Sequence, residues 1–293
     1  MAEPIPGIRA TLLCGFLGSG KTTRINRLIR GGKLEDALFL VNDFGSINID
    51  AELIESRDED VLRLSNGCAC CGISGNLSAQ LREIKDWPRR PGHLVFEASG
   101  IARPRPLMEL FDAARGYALE AAESLVDASA FRRHRRDTAI EDIFTAQIRE
   151  VSRLRVNRAG WLEPDERDAV LREIAAVNPD AEMIVESDEG APPPAARATT
   201  PAPAGPLVSE TVNLPHPVDV AALETLLTQS APALVRAKGT VRADDEARTR
   251  YLVQFAGGRV SRTATRYGHT QALVVIGHRG GMLDSLLEAL RAL

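Results

Sequence analysis

Residues 15–22 read G-F-L-G-S-G-K-T, a full G-x-x-x-x-G-K-[ST] string in which each position has a chemical task. Gly15, Gly18 and Gly20, with Ser19 between them, let backbone N–H groups turn inward onto phosphate oxygens. Lys21 reaches the outer phosphates, and the Thr22 hydroxyl is a ligand for Mg2+. Such a loop works only between a strand and a helix. The apolar run Ile8–Cys14 supplies the strand, and from Thr22 and Thr23 onward Ile25, Leu28 and Ile29 fall on one stripe that stops at Gly31-Gly32. The positive end of that helix points at the same anion. A nucleoside triphosphate is the expected ligand.

Three further segments carry chemistry. Val41–Asp50 follows a predicted strand, and Asp43 in it is placed to approach Mg2+ or a water near the outer phosphate, or else to cap a polar loop. Glu97 closes the apolar strand His93–Glu97 and precedes Ala98-Ser99-Gly100. An acid at that strand tip suits Mg2+, and Ser99 and Gly100 then belong to a switch facing the outer phosphate. Asn66–Gly72 reads N-G-C-A-C-C-G. Cys68, Cys70 and Cys71 are three soft donors in a loop bracketed by glycines, suited to Zn2+ or to Co2+ or Cu(I), with a fourth coordination position left open. Inert buried cysteines or a redox pair are the other readings. Cys14, inside a strand, is expected in the core.

The elements that must position these residues alternate along the chain. Short β-rich runs at Ile8–Cys14, Ala37–Asn42, Val61–Leu64, His93–Glu97, Ser124–Asp127, Val151–Val156 and Ala181–Glu186 are separated by helical patterns near Asn76–Asp86, Pro104–Arg115, Asp137–Glu150 and Pro164–Val177. This is the pattern of an α/β fold, a doubly wound, mostly parallel sheet with helices on both faces, over residues 1–186. Residues 187–206 contain six prolines and almost no large apolar side chain, and read as a linker. Residues 207–293 predict a smaller β-α-β-β-β-β-α unit, an antiparallel sheet with two helices on one face and a turn at Gly257-Gly258.

Composition narrows the function. The chain has 293 residues, a net charge of −4, 44% hydrophobic and 26% charged residues, which does not match a nucleic-acid binder. No basic stretch followed by a long apolar segment opens the sequence and no run of about 18 apolar residues occurs. A cytoplasmic location with no membrane partner is expected. The basic cluster Phe131–Arg136 reads as a solvated loop or helix start, and His93 as structural.

Taken together, G-F-L-G-S-G-K-T-T, V-N-D-F-G, N-G-C-A-C-C, E-A-S-G and the late R-A-K-G (Arg236–Gly239) resemble the CobW-type metallochaperone GTPases, relatives of the HypB and UreG nickel-insertion proteins. The resemblance implies a GTPase that hydrolyses GTP slowly and couples this to delivery of zinc, or next cobalt, to a client metalloprotein through the C-terminal domain; a homodimer is compatible with it. It implies Lys21 and Thr22 on phosphate and Mg2+, Glu97 and Gly100 in the second switch, and Cys68, Cys70 and Cys71 as metal ligands. Where the family has N-K-x-D for guanine, this chain has Asn157-Arg158-Ala159-Gly160. Arg158 keeps a cation beside the nucleotide, but Gly160 has no carboxylate for the guanine N–H donors. Either GTP preference is weakened or Glu163 or Asp165 substitutes. Asp43 stands where many members carry Glu. A non-hydrolysing, nucleotide-dependent binding protein is the main competing reading. A small-molecule kinase ranks lower, because no acceptor-binding carboxylate is evident.

Overall fold

The computed structural model describes residues 7–31, 36–41, 61–63, 73–187, 206–266 and 270–293, with 61–63 and 73–76 as backbone alone. Asp43, Cys68, Cys70 and Cys71, and most of the proline-rich stretch, lie outside the described residues.

Seven strands form the first sheet: β1 (Ile8–Gly15), β2 (Ala37–Val41), β3 (Val61–Arg63), β4 (His93–Glu97), β5 (Tyr117–Asp127), β6 (Arg153–Asn157) and β7 (Glu182–Val185). Their order is β3-β2-β4-β1-β5-β6-β7, and every pairing is parallel. Parallel strands need crossovers, and among the described residues these contain six helices: α1 (Lys21–Arg30), α2 (Ile73–Lys85), α3 (Pro104–Ala113), α4 (Phe131–Arg136), α5 (Glu141–Arg149) and α6 (Pro164–Val177). Strands covered on both faces read as continuous apolar runs, and all five residues of β2 and of β4 are buried. The strand order puts Glu97 next to the β1 loop, since Leu13 pairs with Glu97.

Element ends shift by one to three residues in several places, and two regions depart further from the sequence pattern. β5 is eleven residues long, because Tyr117–Ala121 pairs with β1 despite the weak strand preference of its Ala and Glu residues. The helix predicted over Asp137–Glu150 starts only at Glu141, and Asp137 lies in the turn that separates it from α4. There the carboxylate accepts from the Ala139 N–H (3.1 Å) and from His278 Nε2 (2.9 Å), which competes with helical bonding. Burial by itself would raise the Asp137 pKa, but the hydrogen bond and charge of His278, the Ala139 N–H and His134 together outweigh it and hold the carboxyl below its ordinary value. The basic cluster is α4, with Phe131 and His134 buried. Arg132 pairs with Glu173 and Glu166, and Arg135 with Glu141.

The second sheet holds β8 (Leu207–Asn213), β9 (Leu234–Arg242), β10 (Arg250–Ala256), β11 (Arg259–Ala264) and β12 (Ala272–His278), with α7 (Val220–Gln229) and α8 (Gly281–Arg291). The order is β11-β10-β9-β12-β8, all antiparallel. Asp219 caps α7, its Oδ1 accepting from the N–H groups of Ala221 (2.8 Å) and Ala222 (3.1 Å). Side chains alternate as the pleat requires. Ala237, Val253, Phe255, Leu273 and Val275 pack with Leu223 and Leu227 of α7 and Leu283 and Leu286 of α8, while Val274, Ile276 and Leu252 join the core of the first sheet. Both faces of this sheet are therefore covered, one by its own helices and the other by the seven-stranded unit.

Candidate functional site

The turn between β1 and α1 is built as its composition requires. Gly20 precedes α1 in a left-handed conformation (φ 99°, ψ 18°), and Gly18 has φ +76°. α1 begins at Lys21, one residue before the sequence pattern places it. Lys21 is only 6% exposed, and its Nζ donates to the Gly15 carbonyl (2.9 Å) and the Phe16 carbonyl (3.4 Å). Ser19 is buried and its Oγ has no hydrogen-bond partner among the described residues.

A cavity of about 480 Å3 opens over this turn, within the range of small-molecule sites. Gly18, Gly20, Lys21, Thr22 and Thr23 form its floor with Glu97, and Arg158 lies to one side. Glu97, Ser99 and Gly100 are buried. The Gly100 carbonyl accepts from Gln147 Nε2 (3.1 Å), and a Cβ at Gly100 would lie 2.6 Å from Leu17 Cδ2, so this segment is locked against the phosphate-type loop. Of the nucleotide-site residues expected from the sequence, Gly18, Gly20, Lys21, Thr22, Thr23, Glu97 and Arg158 line this cavity, and Gly15, Ser19, Ser99, Gly100 and Asn157 do not.

Asn157 ends β6 and ties it to the loop, its Nδ2 donating to the Ser19 carbonyl (2.7 Å). Arg158, in a left-handed conformation, donates to the Gly18 carbonyl (3.0 Å) and pairs with Asp127. The next three residues, Ala159–Trp161, form a 3-10 turn in which Gly160 is exposed. Neither Glu163 nor Asp165 lines the cavity. The acid near this end is Glu186, which shares a smaller cavity of about 100 Å3 with Asn157, Arg158 and Trp161 and is paired with Arg24, Arg27 and Arg155.

Several lining residues escape a motif reading. Asp127 sits at the tip of β5, 5% exposed, and its Oδ1 accepts from the Ser129 N–H (2.9 Å) and Oγ (2.7 Å). It stands at the carboxyl end of β5, the strand paired with β1, and so beside the turn. Trp161 carries two guanidiniums on its ring, Arg158 at 5.2 Å and Arg259 at 5.6 Å. The far wall comes from the second sheet: Arg236, Lys238, Gln254, Arg259 and Ser261. Arg236 and Lys238 belong to the R-A-K-G string, whereas spatial proximity alone identifies Gln254, Arg259 and Ser261.

Cys14 is fully buried, and burial pushes its thiol up to about 12, offset in part by Lys21, so it is core. His93 is buried with Nε2 2.9 Å from Thr11 Oγ1, and burial lowers its pKa, with Arg9 adding to the effect. No cluster of three or more metal-type ligands occurs among the described residues.

His134 stacks under the loop, 4.8 Å from the Phe16 ring and 5.1 Å from Phe144. Burial, aided by Arg133, depresses its pKa from 6.5 to about 3. The folded chain thus keeps His134 neutral where the unfolded chain takes up a proton, so stability falls as pH drops below 6.5. The slope is about 1.4 kcal/mol per pH unit. We expect a loss of about 2 kcal/mol between pH 6.5 and 5 from this group, removed in His134→Leu. Urea midpoints at the two pH values test it; an equal drop in both proteins would refute the assignment.

Comparison with known proteins agrees with this architecture. Residues 9–185 match the family model described as CobW/HypB/UreG, nucleotide-binding domain, and residues 207–293 match the cobalamin synthesis protein cobW C-terminal domain. The zinc chaperone CobW of Sinorhizobium sp is 24% identical over 211 residues, 62% of this chain and 60% of that protein. The zinc chaperone YjiA of Escherichia coli is 33% identical over 129 residues, 41% of each. The zinc-regulated GTPase metalloprotein activator 1 of Dictyostelium discoideum is 34% identical over 114 residues, 34% of this chain and 24% of that protein. The chain thus spans at most about 60% of the length of these curated relatives. The solved Zn(II)-bound YjiA GTPase from E. coli aligns over 98% of both chains at 24% identity with a TM-score of 0.44. With both family models matched in order along the sequence, this chain belongs to the CobW/HypB/UreG family and carries the CobW C-terminal domain after its nucleotide-binding domain.

Proposed function

We propose that this protein is a metal-handling GTPase that binds GTP with Mg2+ at the β1–α1 turn, hydrolyses it, and couples the change to delivery of zinc, with cobalt second, to a client metalloprotein engaged through the C-terminal unit. The observation that carries this reading is the cavity itself. One 480 Å3 space brings the glycine-built turn, the buried Lys21 ammonium, Thr22, Glu97 and Arg158 together. Glycines with positive φ leave room for a phosphate against the backbone, and the donor set fits a triphosphate and its divalent ion. Thr22 and Glu97 would hold Mg2+, which when bound neutralises charge developing on the outer phosphate. Lys21 and the turn's N–H groups orient the phosphates. Water then attacks the γ-phosphorus while the bond to the β–γ bridging oxygen breaks, giving GDP and phosphate.

The relatives named zinc chaperones support zinc as cargo, and Cys68, Cys70 and Cys71 are the donors this chain offers. Asp43 lies on the segment after β2 and Cys68 on the segment after β3, a neighbouring strand. Loss of the outer phosphate can therefore rearrange both segments together. Because Gly160 carries no carboxylate and Glu186 is engaged by arginines, guanine discrimination is weaker than an Asp in that turn would provide.

Cys70→Ser tests the cargo assignment. We expect zinc affinity, measured by chelator competition, to fall by at least about 100-fold, and the zinc dependence of hydrolysis to vanish while nucleotide affinity stays within about twofold. An unchanged zinc stoichiometry and affinity would remove the thiolate loop from the mechanism.

A further inference from the structure

Register dictates which residues of the second sheet face the β1–α1 turn. In β9 and β10, Arg236 pairs with Ala256, Lys238 with Gln254 and Thr240 with Leu252; across β10 and β11, Ala256 pairs with Arg259, Gln254 with Ser261 and Leu252 with Thr263. Paired residues share a face. The intervening residues Ala237, Val253 and Phe255 are buried under α7 and α8, so the alternation forces Arg236, Lys238 and Arg259 to the opposite side. A one-residue slip would bury all three cations in an apolar core, which pins the register.

That side lies against the turn. A Cβ at Gly18 would fall 2.4 Å from Ala256 Cβ, and the hairpin glycine Gly257 lies so close that its Cβ would be 3.2 Å from Asp127 Oδ2. Arg236 and Arg259 flank Ala256 in the ladder. Arg259 reaches the Trp161 ring beside Arg158, whereas Arg236 and Lys238 stand on the other side of β10. Lys238 is 5% exposed, as buried as Lys21 across the cavity.

Charge points the same way. Lys21 and Arg158 from the first unit and Arg236, Lys238, Arg259 and Arg266 from the second all line the one cavity. Cations gathered in a low-dielectric cleft favour a polyanion, and more strongly the more charge it carries. A ligand with three phosphates answers this wall better than one with two.

We propose that Lys238, supported by Arg236, is a second phosphate-binding cation, supplied by the C-terminal sheet to the nucleotide held at the β1–α1 turn. This rests on the nucleotide reading of that turn and extends it: the C-terminal unit is part of the nucleotide site, and the outer phosphate is sensed from both sides. Nucleotide state then bears directly on how the two units are held together.

The test uses the full-length chain with Lys238→Met, Lys238→Gln and Lys238→Arg, titrated with fluorescent GDP and a fluorescent non-hydrolysable GTP analogue at low and high KCl. Both neutral variants are expected to bind the triphosphate at least about tenfold more weakly, about 1.4 kcal/mol, with a smaller loss for GDP and a shallower salt dependence. Lys238→Arg is expected to restore most of the triphosphate preference, which a packing role would not do. If the wild type binds both nucleotides and a folded neutral variant retains the same triphosphate-to-diphosphate ratio, the inference fails while the nucleotide reading stands. If the wild type binds neither nucleotide, both fall. Should one neutral variant not fold, the other gives the same comparison.

Discussion

Lys21→Ala is expected to abolish nucleotide binding while leaving the chain folded. In the structure the Lys21 ammonium is held at 6% exposure, with two carbonyls of its own turn among its partners. Removing it deletes a buried charge whose desolvation opposes folding, so the apo protein should lose little stability. The bound state loses a charge-assisted contact to the outer phosphates, for which a fall in affinity of at least about 100-fold is expected. The two effects separate in a thermal melt. At a ligand concentration 100 times the wild-type Kd the wild type gains about 2.7 kcal/mol, a rise of roughly 5–10 °C for a chain of this size, and the variant at most about 0.4 kcal/mol. Repeating the melt with ATP tests the consequence of Gly160: the ATP shift should be within a few degrees of the GTP shift. A variant that still shows the full nucleotide shift would remove the β1–α1 turn as the binding site, whatever its sequence.

Gly239→Ala is expected to be the most destabilising small substitution in the C-terminal unit. β9 is the strand flanked by β10 and β12, and Gly239 faces Val253 on one side and Leu273 on the other. A Cβ there would lie 1.9 Å from the Ala272 carbonyl oxygen and 2.7 Å from Leu273 Cα, both backbone atoms that cannot swing aside. Forcing a methyl into this contact costs on the order of 3 kcal/mol, or a fall in melting temperature of roughly 6–12 °C. Because Lys238 is the adjacent residue, displacement of β9 should also weaken triphosphate binding. This gives the R-A-K-G string a physical reading: its glycine lets β12 approach, and its two cations face the cavity. A Gly239→Ala protein melting within a degree of the wild type would show that β12 yields easily and would withdraw that reading.

Much of this molecule is legible from its residues. Local periodicity is enough for β8 through β12 and for α6, whose first residue is Pro164, because strands and helices buried on one side repeat their apolar positions at fixed intervals. The β1–α1 turn is legible because phosphate chemistry constrains glycine, lysine and hydroxyl positions at short range. The extent of β5 and the turn at Asp137 are not, since one depends on pairing with β1 and the other on His278, 141 residues away. The basic cluster at Phe131–Arg136 likewise looks like a solvated run until its partners Glu141, Glu166 and Glu173 are seen beside it.

Sequence by itself determined that this chain has a phosphate-type turn between a strand and a helix, a parallel α/β unit followed by an antiparallel one, and a cysteine-rich loop, because each is written in contiguous residues. Tertiary structure alone decided that Asp127 and Trp161 stand beside that turn and that β9, β10 and β11 close over it with Arg236, Lys238 and Arg259 inward. The reason is that the packing of one sheet on another depends on contacts between residues far apart in the chain, such as Gly18 and Ala256, and no local pattern encodes which face of a finished sheet will meet which loop.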